Sequence, residues 1–236
     1  KVTQSLVEKT LGMTDLPLLS EPNLQQQLVE IGYQGKKLEE LEVLSATEKA
    51  KMLFIVQDPY TSYYDAKVVR DFVALTQKLG FSPILLPFKP NGKAMHIKGF
   101  LARFSKTAKT QAEFLNRVAK FNVPLVGVDS AIVLSYRDEY KEALGDSRGD
   151  FHVLTAHEWL TTQLESNTLQ SAVENIAKSD RTFEWHLFPH CTESTFMPNS
   201  PKEWQYIFAQ FGQTLKVEKV GCCGMAGVFG HEVQNQ

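Results

Sequence analysis

Met52-Leu53-Phe54-Ile55-Val56 is an unbroken apolar run, too short for a buried helix and typical of a strand covered on both faces. Residues 64–79 follow, with Val68, Val69, Phe72, Leu75 and Leu79 at helical spacing and Gly80 in the place of a helix C-cap. Residues 83–86 form a second apolar run. Strand, helix, strand in that order is a βαβ unit, which demands parallel pairing. The same order recurs at 183–188, 202–211 and 215–220. A chain committed twice to this unit folds as α/β.

The two units superpose without a gap. A shift of 132 positions lays 53–56 on 185–188, Phe72 on Trp204 and Gly80 on Gly212. It also lays Pro59 on Cys191, Pro90-Asn91-Gly92 on Cys222-Cys223-Gly224, and Ala94 on Ala226. The expected fold is therefore two tandem, pseudo-repeated α/β lobes with short, mostly parallel sheets. The expected division is an N-terminal helical segment at 1–50, a first lobe at 51–148 and a second at 149–236. Gly145-Asp146-Ser147-Arg148-Gly149-Asp150 is the strongest loop signal and the candidate boundary. Between the units, helices are expected at 95–121, 132–144, 156–164 and 168–177, with a third strand at 123–128. In the first fifty residues, the series Leu6, Leu11, Met13, Leu16 and Leu18-Leu19 is interrupted by Pro17 and Pro22, which predicts short helices and turns.

Charge and composition exclude several classes. With 25 basic against 27 acidic residues, the chain carries a formal charge of −2, so no basic excess supplies phosphate contacts and no nucleic-acid partner is expected. The lysine-rich stretch 89–109 reads as a local solvated face. No apolar run reaches the roughly 18 residues that span a bilayer, and no secretory signal is visible. The first residue is Lys1 rather than Met, which suggests a trimmed terminus or a piece of a longer chain. Three cysteines make no disulfide framework and point to a reducing, cytoplasmic setting, with peripheral attachment at the inner membrane as a variant of it.

The chemistry concentrates near the C-terminal end. Gly221-Cys222-Cys223-Gly224-Met225-Ala226-Gly227 follows the last strand, with a further glycine at Gly230, and Cys191 follows the strand before it. In parallel sheets the carboxyl ends of strands share one edge, where ligands collect, so thiols 31 positions apart in sequence can meet. Thiolates are soft ligands that favour iron–sulfur clusters and zinc. Adjacent cysteines do not easily close one undistorted chelate but can reach two irons of one cluster. Close-spaced glycines let the backbone approach such a group. The candidate metal ligands are Cys191, Cys222 and Cys223, and the candidate cofactor-contacting glycines are Gly221, Gly224 and Gly227. The first copy has no thiols at the matching positions, so only the second can bind metal through sulfur.

Bland readings stand beside these. Cysteine is often buried filler, and His190 suits a helix cap or an outward position as well as a zinc ligand. His186 alternates with Trp185 and Leu187, which turns it to the other face of the strand. Trp185, Trp204 and Tyr206 read as core or interface residues, and Asp129-Ser130 as a helix N-cap rather than a nucleophile site. No dinucleotide fingerprint or Cys-x-x-Cys pair is present.

Phe188-Pro189-His190-Cys191, followed by Gly221-Cys222-Cys223-Gly224-Met225-Ala226-Gly227, resembles the cysteine-rich CCG domain of the heterodisulfide reductase type. The chain as a whole looks like the C-terminal region of the long bacterial FAD-linked oxidoreductases of the D-2-hydroxyglutarate or D-lactate dehydrogenase and glycolate oxidase type. The resemblance implies a cysteine-rich electron-transfer module of a FAD- and iron–sulfur-dependent 2-hydroxyacid dehydrogenase or oxidase, with no turnover by this chain alone. Its implied partners are FAD and ferredoxin-like domains upstream in the same polypeptide and a quinone or other electron acceptor. The family pattern continues with another cysteine beyond the Cys-Cys-Gly, so the implied iron–sulfur cluster has an incomplete ligand set within these 236 residues. The alternative is a structural or docking domain with a vestigial or zinc-binding thiol site.

Overall fold

The computed structural model describes residues 17–166, 168–177, 183–224, 230 and 232. The pattern expected at 1–16, together with Met225, Ala226 and Gly227, lies outside the described residues.

Helix α1 (Leu24–Glu30) opens on a capping box in which Asn23 and Gln26 satisfy each other's backbone N–H groups. A 3-10 turn (Leu38–Leu41) and a one-turn helix α2 (Ala46–Lys49) lead into strand β1 (Met52–Val56). Next come α3 (Pro59–Tyr63), α4 (Ala66–Lys78) and β2 (Ser82–Leu85). The expected helix at 95–121 is two helices, α5 (Lys93–Ile97) and α6 (Leu101–Ala119), broken where Gly99 takes φ +75°. After β3 (Leu125–Gly127), the expected helix at 132–144 is likewise two, α7 (Ser130–Arg137) and α8 (Glu139–Leu144).

The 145–150 loop contains a 3-10 turn (Gly145–Arg148) and leads to a strand that the sequence pattern does not reveal, β4 (Val153–Thr155). β4 pairs with β3, so the first sheet draws its last strand from beyond that loop. Then follow α9 (Ala156–Glu165), α10 (Gln170–Ala177), β5 (Glu184–Leu187), α11 (Cys191–Phe196), α12 (Ser200–Gln210) and β6 (Thr214–Val217).

The first sheet runs β2-β1-β3-β4 and the second β5-β6, with every pairing parallel. Side chains on a strand alternate between faces, and β1 divides the core accordingly. Met52, Phe54 and Val56 join Ile84, Leu125 and Val153 under α6, against Phe104, Ala108 and Leu115. Leu53 and Ile55 face the other way, packing with Val69, Phe72 and Val73 of α4 and Trp159 and Leu160 of α9. Ile207 of α12 joins this second cluster, which ties the second βαβ unit to the first. Among the described residues no helix is long and apolar enough to cross a membrane.

The duplication extends to hydrogen bonds. β1 pairs with β2 from Met52↔Ser82 to Ile55↔Leu85, and β5 with β6 from Glu184↔Thr214 to Leu187↔Val217, each 132 positions on. Leu86 N–H donates to Ile55 O at 3.0 Å, and its counterpart Glu218 N–H to Leu187 O at 2.9 Å. Pro59 and Cys191 are each the first residue of a short helix after a strand. Gly92 and Gly224 take φ of +79° and +76°.

The copies differ in what their faces carry. At the positions of buried Met52, Phe54, Ile84 and Leu86 in the first sheet, the second has Glu184, His186, Lys216 and Glu218. His186 Nδ1 lies 2.6 Å from Glu218 and Nε2 3.4 Å from Glu184, while Lys216 Nζ sits 2.9 Å from Glu184. The face that is core in the first sheet is a solvated ion network in the second.

Candidate functional site

β5 ends at Leu187, and Phe188-Pro189-His190 carries the chain into α11, which begins at Cys191. His190 occupies the N-cap position with extended backbone, but its side chain makes no capping bond. β6 ends at Val217, and the chain then reaches Gly221-Cys222-Cys223-Gly224. Because β5 and β6 are parallel, both cysteine segments leave from the carboxyl edge of one sheet. The three cysteines are free thiols exposed to solvent. Gly224 N–H approaches Cys222 Sγ at 3.4 Å, the Cys191 sulfur is 4.0 Å from Thr192 Oγ1, and Thr195 Oγ1 donates to Cys191 O at 2.9 Å. Beside α11 an open cleft of about 490 Å³ lies between Thr192 and Phe196 on one wall and Asp138, Glu139 and Glu142 on the other.

Three exposed thiols on two neighbouring strand ends have the donor chemistry of a soft-metal site. Their arrangement is another matter. Among the described residues no three His, Cys, Asp or Glu side chains gather to hold a metal ion. Of the candidate glycines, Gly221 and Gly224 flank the cysteine pair with open space where a Cβ would stand, and Gly227 lies outside the described residues.

The matching rim of the first sheet is polar but closed. Asp58, at the place of His190, is buried and caps α3, accepting from the Tyr60 and Thr61 amides at 2.8 and 2.9 Å and from the Thr61 hydroxyl. Burial pushes its carboxyl above the usual range, the Thr61 bonds pull it back, and Asp129 across the rim raises it further. Asp129 caps α7 through Ile132 N–H at 3.0 Å, as its position after β3 suggested. Asn91, at the place of Cys223, is buried, accepts from Lys93 N–H at 2.9 Å through its side chain and receives the Tyr140 hydroxyl on its carbonyl at 2.7 Å.

A buried polar junction between the copies was not anticipated. Thr155 and Glu158 form a capping box at the start of α9, and Arg137 binds Glu158 at 2.5 Å and Val153 O at 2.7 Å. The His157 ring, 1% exposed, lies 3.9 Å from Glu193 of α11 and 3.4 Å from Glu203 of α12, and Ser200 donates to Glu193. Burial lowers the His157 pKa, with Glu193 and Glu203 opposing. The Thr-x-x-Glu box was legible in the sequence, but the partners of His157 come from a segment 36 to 46 residues away.

Trp185, expected in the core or at an interface, is not in the core: it is 48% exposed and meets Phe208 at a ring distance of 6.0 Å. The second sheet has no third strand among the described residues to cover it.

Fold and rim together define a class: a duplicated parallel α/β protein whose second copy carries its cysteines at the carboxyl edge of the sheet. Among known proteins, the chain is 82% identical over all 236 residues to D-2-hydroxyglutarate dehydrogenase from Haemophilus influenzae. It is 56% identical over 234 residues to the Escherichia coli protein of that name, and 37% over 235 residues to that of Pseudomonas putida. It spans 22–23% of the length of these relatives. No family model matches the chain, and no solved structure matches it.

Proposed function

We propose that this chain is the cysteine-bearing module of a longer FAD-linked dehydrogenase that oxidises a 2-hydroxyacid, D-2-hydroxyglutarate above all, and that its thiol rim serves electron transfer. The observation that carries this reading is identity sustained over the whole chain, 82%, with a protein of that name. Bound flavin supplies hydride acceptance, and a bound iron–sulfur cluster supplies one-electron relay. The part assigned to these residues is narrower: β5 and β6 present Cys191, Cys222 and Cys223 on one edge as soft ligands, and residues outside this chain complete the set. The first copy, with Pro59 and a buried Asn91 in place of thiols, is a scaffold.

A second reading has its own support. The first copy keeps the same strand register with Pro59 and a buried Asn91 where the second has thiols, so the lobe stands without metal ligands, which suits a docking domain with a zinc-binding or vestigial thiol site. Anaerobic purification of the full-length polypeptide, with iron, sulfide and zinc analysis and EPR after adding D-2-hydroxyglutarate, separates the two. Electron transfer predicts a paramagnetic signal that is lost in Cys222→Ser. One zinc per chain, with an EPR spectrum that Cys222→Ser leaves unchanged, supports docking instead.

A further inference from the structure

We infer that Glu193 is the positioning residue of the thiol rim: a buried carboxyl group, seated by Ser200 and faced by His157, that sets how α11 presents Cys191. α11 is six residues long. Cys191, Ser194, Thr195 and Phe196 are exposed, Thr192 is half-buried, and Glu193 is the one residue of this helix that is buried. The Ser200 hydroxyl, on the first residue of α12, donates to Glu193 Oε1. His157 of α9 lies 3.9 Å from the same carboxyl group and 3.4 Å from Glu203 of α12. Ser200 and His157 are both buried, so the seat lies in the interior.

Burying a polar group carries a cost that burying a hydrocarbon does not, so an apolar residue would hold α11 to the core at least as firmly. What the carboxyl group adds is direction. Apolar contact is non-directional, whereas a hydrogen bond weakens steeply off its axis. Successive side chains on a helix stand about 100° apart, so Cys191, two positions before Glu193, points about 200° away from it. Locking Glu193 inward turns Cys191 outward and fixes the roll of the helix that carries it.

The first copy fixes the matching helix differently. There Asp58, at the N-cap, accepts from the Tyr60 and Thr61 amides and from the Thr61 hydroxyl. The period puts His190 at the place of Asp58, and His190 makes no capping bond. It puts Glu193 at the place of Thr61. The second copy has moved the fixing point from the N-cap to the third residue of the helix, away from the thiol, whose own side stays open.

The inference deepens the proposed function, since it rests on Cys191 serving as a ligand on that rim. The test compares Glu193→Gln, which keeps an acceptor for Ser200, with Glu193→Leu, which keeps the burial and loses the bond. Both are made in the full-length polypeptide. After chelation and reduction, alkylation by iodoacetamide is followed by peptide mass mapping at Cys191 and at the Cys222-Cys223 pair. Glu193→Gln should leave the Cys191 rate within about twofold of the parent, while Glu193→Leu should raise it about threefold or more, toward that of the urea-unfolded chain. The rate at the Cys222-Cys223 pair should stay at the parent value in both. In anaerobic samples the EPR signal should change in Glu193→Leu and not in Glu193→Gln. Ser200→Ala should follow Glu193→Leu at Cys191, and it carries the test if the leucine variant does not fold. If the parent shows no EPR signal, the electron-transfer reading fails while the thiol rates still decide this one. A parent rate at Cys191 in Glu193→Leu and Ser200→Ala overturns the inference. So does an equal rise at Cys191 and at the pair, which marks general loosening rather than positioning.

Discussion

Gly92 and Gly224 occupy matching turns with φ of +79° and +76°, a region that costs an L-residue about 1–2 kcal/mol. Their surroundings differ. A Cβ at Gly92 would stand 3.0 Å from the Phe104 ring, whereas at Gly224 it meets nothing within 4 Å. Gly224→Ala should therefore cost about 1 kcal/mol, and Gly92→Ala about 2 kcal/mol or more from added overpacking, read as a larger fall in the thermal midpoint. Asp58 gives a pH signature. Its pKa is raised in the folded state, chiefly by burial, so the stability it contributes is complete below the ordinary carboxyl range and lost as pH rises through the folded value. Asp58→Asn keeps the cap oxygen and should flatten that loss, making the variant at least as stable as the parent at neutral pH. Asp58→Ala should lose about 1 kcal/mol with the cap.

The elements that sequence could read are those with a long periodic face or an unbroken apolar run. β1 was legible to the residue, and α4, β2 and α12 to within two or three positions, because period and capping agreed there. β4 escaped because three residues carry no period, and the short helices α3 and α11 because each is one turn on a strand end. The junction of α9 with α11 and α12 escaped for another reason: only the tertiary fold brings His157 to Glu193 and Glu203. His157 is held below the ordinary imidazole pKa, chiefly by burial. The stability it contributes is complete above that ordinary value and is lost as pH falls through the folded value. Below the ordinary imidazole range, α11 and α12 should loosen from α9, seen as faster amide exchange in both helices. His157→Gln, which cannot charge, should remove the pH dependence of that loosening.

At the scale of the whole molecule, the duplication was legible as a gapless shift of 132 positions, and the registers of both strand pairs repeat it. The site was legible in part. Parallel strand order places Cys191 and Cys222-Cys223 on one edge, but sequence spacing says nothing of whether sulfurs converge, and three ligands do not gather among the described residues. The inversion of one face, from Phe54 in the first copy to His186 in the second, shows that the copies share a backbone plan without sharing a core. The role proposed for the thiols is that electrons delivered by the flavin half of the longer enzyme leave through them. Stopped-flow spectroscopy of the full-length Cys222→Ser protein tests this most directly. The account predicts that D-2-hydroxyglutarate still bleaches the flavin at the parent rate while reoxidation by the acceptor slows by about two orders of magnitude, or about 3 kcal/mol of barrier. Reoxidation at the parent rate in that variant would contradict it.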